Sequence, residues 1–205
     1  LKDFVLVEHK KYVWPDIYAM GSGRELVTME PFHLTNSSLP IAISLYNPVV
    51  DSLAGISGTG FKVWDMQTSE EMLSHDNAAP AEITVAMFDE PLYRKIYLGC
   101  SNGHVIVQNY LSGKPLAPSV KLHKAAITYI KYYFPAKQFV TAAADRTMKV
   151  SRDDINGKIS VIRSLENVHP DGSISSACIN EMFGFIASAS SNSQVIRVWD
   201  YETFS

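Results

Sequence analysis

An apolar run ends four times on the same slot, at Val63-Trp64-Asp65, Val107-Gln108-Asn109, Val150-Ser151-Arg152 and Val198-Trp199-Asp200, so that the valine recurs after 44, 43 and 48 residues. A chain that repeats at such an interval is assembled from like units, each too small to bury its own apolar faces and each leaning on its neighbours. Within every unit apolar and polar positions alternate, rich in β-branched and aromatic side chains and broken by Gly, Pro and Asn. That is the pattern of short antiparallel strands.

The unit over 41–82 reads as strands at 41–46, 52–57 and 61–65, with a short fourth at 71–74. The unit over 83–126 gives 83–88, 95–100 and 105–110, then an outer strand near 114–117; Asn102-Gly103 between two alternating runs is a strong hairpin signal. The unit over 127–173 gives 127–133, 138–143, 147–153 and 158–164. The unit over 174–205 gives 184–190 and 195–200 after a first strand at 174–180, and lacks an outer strand. Residues 1–40 read as the tail of a preceding unit, with strands at 4–8, 11–14 and 24–29. Val13-Trp14-Pro15-Asp16 is a degenerate form of the Trp-Asp closure in which Pro15 removes a ladder bond.

The fold class expected is therefore all-β, and a four-stranded unit at this period is the unit of a β-propeller. At roughly 44 residues per blade the chain supplies about four and a half blades. An open arc leaves an apolar flank uncovered, so the expectation is either the remaining blades of a larger ring on a longer chain or a second copy against that flank. A closed four-bladed ring is the lesser alternative. The first residues, Leu1-Lys2-Asp3, show neither an initiator methionine nor a signal-peptide pattern, which suggests a piece of a longer protein.

Composition narrows the function. A net charge of −3 over 205 residues argues against a broad nucleic-acid-binding field or a polybasic membrane contact. No apolar stretch approaches ~18 residues, so no membrane span is expected. The two cysteines, Cys100 and Cys178, sit in strand-like runs and read as small core residues of a reducing compartment, which gives a cytoplasmic expectation. No His/Cys cluster has metal-ligand spacing, no carboxylates are paired for acid–base work, and no cofactor is expected. Gly21-Ser22-Gly23 and Gly58-Thr59-Gly60 lack the third glycine and the strand–helix setting of a phosphate loop, and read as turns. Asn36-Ser37-Ser38 fits a glycosylation acceptor by pattern alone.

Residues 33–200 resemble WD40 repeats, most closely in the third unit. Such repeats place a His before the first strand, a Ser or Thr in the second, an Asp in the next turn and a Trp in the third strand. Here His123, Thr141 and Asp145 match, with Ser151 at the Trp position; the fourth unit offers His169, Ser188, Asn192 and Trp199; the first keeps Trp64 but has Gly58 for Asp; the second has Asn102 and Gln108. The resemblance implies that His123, Thr141, Asp145, His169, Ser188, Trp199 and Trp64 pin blades together, and that the intact ring has seven or eight blades. His123, Asp145 and Thr141 also look like a catalytic triad; a buried imidazole and carboxylate need partners in any case, so the structural role is expected.

In resembling proteins partners dock where the turns after the second strand meet the segments before the first. On this chain that face carries Lys121, Lys124, His104, Asn102, Arg146 and Asn192, suited to acidic or phosphorylated peptides. The loop Asp89-Glu90-Pro91-Leu92-Tyr93-Arg94 adds an expected exposed pair, Tyr93 and Arg94, of the type found in partner hot spots. Tyr129, Tyr132, Tyr133 and Phe134 form a second aromatic group, half core and half rim. The function expected is a non-enzymatic scaffold that docks peptides or domains of other proteins. The divergent repeats also resemble ciliary or axonemal WD-repeat proteins with EF-hands, which implies a cytoskeletal or ciliary setting; no EF-hand loop occurs in this segment. The alternatives are a propeller-based enzyme and a substrate-recognition subunit of a protein-modifying complex.

Overall fold

The computed structural model describes residues 4–8, 15–19, 25–28 and 41–205 except 69. Among them lie five antiparallel sheets, each built from strands consecutive in the chain. The first comprises β1 (Phe4–Glu8), β2 (Pro15–Ala19) and β3 (Glu25–Thr28). The second holds β4 (Ile43–Asn47), β5 (Ser52–Ser57), β6 (Gly60–Asp65) and β7 (Glu71–His75). The third holds β8 (Ile83–Phe88), β9 (Lys95–Cys100), β10 (His104–Asn109) and β11 (Val120–Lys121). The fourth holds β12 (Ile127–Tyr133), β13 (Gln138–Ala143), β14 (Met148–Asp153) and β15 (Ile159–Leu165). The fifth is β16 (Ile174–Asn180), β17 (Phe185–Ser190) and β18 (Ile196–Asp200). A 3₁₀ turn at Phe134–Ala136 is closed by the Lys137 N–H on the Phe134 carbonyl.

The last four sheets stack face to face in chain order. First strands meet first strands: β8 lies against β4 and β12, and β12 against β16. Three apolar cores fill the gaps, one between each consecutive pair. Strand alternation feeds both neighbours of an inner sheet at once. Ile96, Leu98 and Cys100 of β9 point into the gap toward the second sheet, while Tyr97 points into the gap toward the fourth. That explains why the middle strands read as near-continuous apolar runs where one-sided sheets would alternate. The first strands of the third, fourth and fifth sheets share a bulge, between Ile83 and Val85, Ile127 and Tyr129, and Ile174 and Ser176, which adds local twist at the same place in each of these three units. Polar links cross the gaps: Thr84 Oγ1 donates to the Ile127 carbonyl at 2.6 Å, and Asp153 accepts from Tyr97 Oη at 2.9 Å and pairs with Lys95.

Two expectations shift. The outer strand of the third sheet forms at Val120–Lys121 and not at 114–117, where Gln108 and Pro115 make only an isolated bridge. Pro115 and Pro118 have no N–H to give a ladder, so pairing resumes beyond them. The strand expected at 11–14 lies outside the described residues, as do Gly21-Ser22-Gly23 and Asn36-Ser37-Ser38; β2 begins at Pro15, opposite Glu8, where a strand tolerates proline. Finally, only Cys100 is a core cysteine. Cys178 is exposed, on a face of β16 that no sheet among the described residues covers.

Candidate functional site

Two rims of loops border the stacked sheets. The near rim consists of the turns between second and third strands together with the segments that lead into each first strand. Backbone hydrogen bonds lace it from unit to unit: Ile83 N–H to the Gly58 carbonyl (2.8 Å), Ser101 to Glu82 (2.8 Å), Leu122 to Gly103 (3.0 Å), Ala144 to Ala126 (2.8 Å), Val168 to Arg146 (2.9 Å) and Ser191 to Ser173 (3.2 Å). Gly103 makes the closest approach. Its φ is +83°, and a Cβ there would stand 2.1 Å from the His123 carbonyl oxygen, so no other residue fits this turn.

Beneath this rim lies the His123 network. Its Nε2 is 2.8 Å from Thr141 Oγ1 and its Nδ1 is 2.7 Å from Thr147 Oγ1. Thr147 in turn donates from Oγ1 (2.7 Å) and N–H (3.0 Å) to Asp145 Oδ1, and the Lys124 N–H donates to Asp145 Oδ2 at 2.6 Å. Thr147 thus relays between the imidazole and the carboxylate, which are 3.6 Å apart. Sequence reading missed it, since Thr147 falls at no position of the repeat pattern. Burial pushes His123 down to about 4, against the pull of Asp145. Burial would raise Asp145, but the hydrogen bonds from Thr147 and the Lys124 backbone outweigh it and hold the carboxyl below its usual range. A neutral imidazole with both nitrogens engaged, over a fully buried Thr141, presents no nucleophile to solvent. The arrangement joins the segment before β12 to β13 and to the turn that follows it.

The fifth sheet carries a shorter chain of the same kind: His169 Nε2 lies 3.0 Å from Ser188 Oγ, which accepts from Trp199 Nε1 at 3.0 Å. Trp64 is buried against Gly55, where a Cβ would meet its ring at 2.9 Å. At the equivalent of the Trp position Gln108 donates from Nε2 to the Ala78 carbonyl at 2.7 Å, so an amide ties down the segment before β8.

The structure brings six of the eight candidate docking residues to the near rim. Lys121, Lys124, Arg146 and Asn192 are exposed there; Asn102 and His104 are half-buried, the Asn102 side chain accepting the His104 N–H at 3.2 Å. Arg146 is partly spent within the fold, donating to the Pro170 carbonyl at 3.0 Å. Tyr93 and Arg94 are elsewhere, on the opposite, far rim. Tyr93 is also half-buried, not exposed: its ring packs on Phe88 at 5.5 Å, and its carbonyl accepts from Asn47 Nδ2 at 3.0 Å. Arg94 is exposed.

The far rim is formed by the loops that join first to second strands, and it has a feature the sequence did not announce. Each loop of the four stacked sheets, or the 3₁₀ turn in its place, holds an exposed large apolar side chain: Val49, Leu92, Phe134, and the pair Met182 and Phe183. These loops are neighbours. Asn47 reaches Tyr93, Lys131 pairs with Glu90 at 2.8 Å, and Tyr133 Oη donates to the Glu181 carbonyl at 3.4 Å. The signal was present as apolar residues beside turn-formers in four equivalent loops, but one-residue features vanish beside the strand pattern.

Among the described residues no group of three or more His, Cys, Asp or Glu is placed to hold a metal ion, and no helix is long and apolar enough to cross a membrane. An open cleft of about 570 Å³ between 77–80 and 115–119 is lined by Ala78, Pro80, Ile106, Leu116 and other residues without an ionisable side chain.

No family model matches the chain, and no curated protein matches it. Among solved structures it is similar to the crystal structure of the computationally designed Ika8 protein, at 23% identity and a TM-score of 0.72. The match covers 98% of this chain and 56% of the designed one. At that identity the likeness concerns the fold alone: a stack of antiparallel β-sheets.

Proposed function

We propose that the chain is an arc of a WD40-like β-propeller and serves as a non-enzymatic docking platform for other proteins, with the far rim as its principal contact face. The observation that carries this reading is the series Val49, Leu92, Phe134 and Met182-Phe183, exposed apolar tips on four neighbouring loops held by a rigid stack. Aromatic residues and Met, here Phe134, Met182 and Phe183, are enriched in the buried centres of interfaces, and loops on a β-frame are where binding residues concentrate. The near rim is a second, more polar face. Its Lys121 and Lys124 suit acidic peptides, while Arg146 is partly engaged within the fold. A ciliary or cytoskeletal assembly as the setting rests on the sequence resemblance.

The test is affinity capture from native extract with three baits: the unaltered chain, a Leu92→Ser/Phe183→Ser variant, and a Lys121→Glu/Lys124→Glu variant. The reading expects a stable partner on the first bait, its loss from the second by more than about tenfold, and a smaller change on the third. Retention by the second bait with loss from the third moves the contact to the near rim. A turnover activity with no partner on any bait overturns the platform reading.

A further inference from the structure

The segment 89–95 is the hub of the far rim. Asn47 of the second sheet reaches its Tyr93 carbonyl, and the Tyr110 N–H donates to its Arg94 carbonyl at 3.0 Å. Lys131 of the fourth sheet pairs with its Glu90, and its Lys95 pairs with Asp153 and donates to the Asp154 carbonyl at 3.4 Å. These contacts bring two further connections beside it, the turns that follow β10 and β14. Alternate turns of an antiparallel sheet fall at the same end, so both belong to this rim. Each holds an exposed aliphatic side chain, Leu111 at 60% and Ile155 at 89%. With Leu92 and Phe134 they make four apolar tips on the connections of the third and fourth sheets.

The charges of the hub are settled within the fold, with one exception. Glu90 is neutralised by Lys131 and Lys95 by Asp153. Asp89 is buried, one of its oxygens accepting the N–H groups of Arg94 and Lys95 at 2.8 Å each. Arg94 is exposed, and no described residue pairs with its guanidinium. The other exposed charges on these connections are Lys114, Lys137 and Lys158 against Asp154 alone, so this part of the rim is positive although the whole chain carries −3. A partner that covers the four tips also takes Arg94 out of water. A guanidinium does not shed its proton, and a buried unpaired charge is costly, so the cover has to bring an anion with it. A side-chain carboxylate meets that need with two parallel hydrogen bonds to the guanidinium fork.

We infer that the far rim over the third and fourth sheets takes a protein segment in which an Asp or Glu is flanked by large apolar side chains. The carboxylate sits on Arg94 and the apolar groups on Leu92, Leu111, Phe134 and Ile155. The inference rests on the docking reading above and adds to it the chemistry of what docks.

The test selects random peptides displayed on phage against the immobilised 205-residue chain and measures the enriched peptides, made synthetically, by fluorescence anisotropy. The expected winners combine Asp or Glu with Leu, Phe, Met or other large apolar residues. Their affinity should fall at least about tenfold on Arg94→Glu, and by a similar factor when the peptide carboxylate is replaced by the neutral amide. A peptide with Lys in place of that carboxylate should bind the Arg94→Glu chain better than the unaltered one. Thermal unfolding of Arg94→Glu should match the unaltered chain, since the side chain is exposed. Winners that are lost from the Leu92→Ser/Phe183→Ser chain but carry no acidic residue, or ignore Arg94→Glu, overturn the inference and leave the platform reading standing. Acidic winners lost from Lys121→Glu/Lys124→Glu and retained by Arg94→Glu place this chemistry on the near rim and overturn it as well. A selection that enriches no peptide overturns it too, while the capture experiment still decides the platform reading independently.

Discussion

At the scale of single residues the chain spends its buried polar groups on joining elements. His123 shows the cost and the return. Held down to about 4, it stays neutral in the fold while the unfolded chain takes up a proton below the usual imidazole value of about 6.5. Stability is therefore full above that value and declines as pH falls toward 4, by on the order of 3 kcal/mol. Asp145 acts with the same sign, since a depressed carboxyl contributes stability that is lost as pH falls through its lowered value. An NMR titration of the His123 ring should show no protonation through pH 5; a midpoint near 6.5 would show the network absent. Thr141→Ala leaves Nε2 buried without its partner and should cost about 1–3 kcal/mol by denaturant unfolding. The two tryptophans should separate as well. Trp64 is buried and Trp199 half-buried, so Trp64→Ala should cost about 3–5 kcal/mol and Trp199→Ala clearly less.

At the scale of strands and sheets, identical sequence positions carry different energies because their surroundings differ. Val150 and Val198 occupy the same register slot, one in a filled gap and one on an open face. Val150→Lys should cost several kcal/mol, roughly the penalty of an unpaired buried charge, and Val198→Lys in the 205-residue chain less than about 0.5 kcal/mol. Equal losses by thermal unfolding would mean that the fifth sheet is covered. Strand positions were legible from sequence wherever alternation and turn chemistry agreed: 83–88, 95–100, 127–133, 138–143 and 174–180 coincide with β8, β9, β12, β13 and β16. They were illegible where proline decided. The run after Ser112-Gly113 looks like a strand until Pro115 and Pro118 are asked for the N–H groups they lack, and pairing is deferred to Val120.

At the scale of the whole molecule, stacking explains both what the repeat pattern foretold and what it hid. It foretold like units and the near-rim residues, because turn residues keep fixed offsets from strands. The split between Tyr93-Arg94 and the Lys121 group follows from which strands their turns join, since successive turns of an antiparallel sheet fall at opposite ends; what the pattern hid is that Tyr93 is half-buried. Cys178 was misread for a related reason: local apolar context reports that a face is built for a core and is silent on whether a neighbour covers it. The far-rim tips emerged only once four loops were seen side by side.

Amide hydrogen exchange of the chain alone and in complex with a partner purified from native extract addresses the docking claim most directly. The account predicts that binding slows exchange in the loops at 47–51, 89–94, 134–137 and 180–184, with the middle strands β9, β10, β13 and β14 protected in both states. Slowing confined to 101–104, 121–126, 145–146 and 191–194 would contradict the assignment of the contact face.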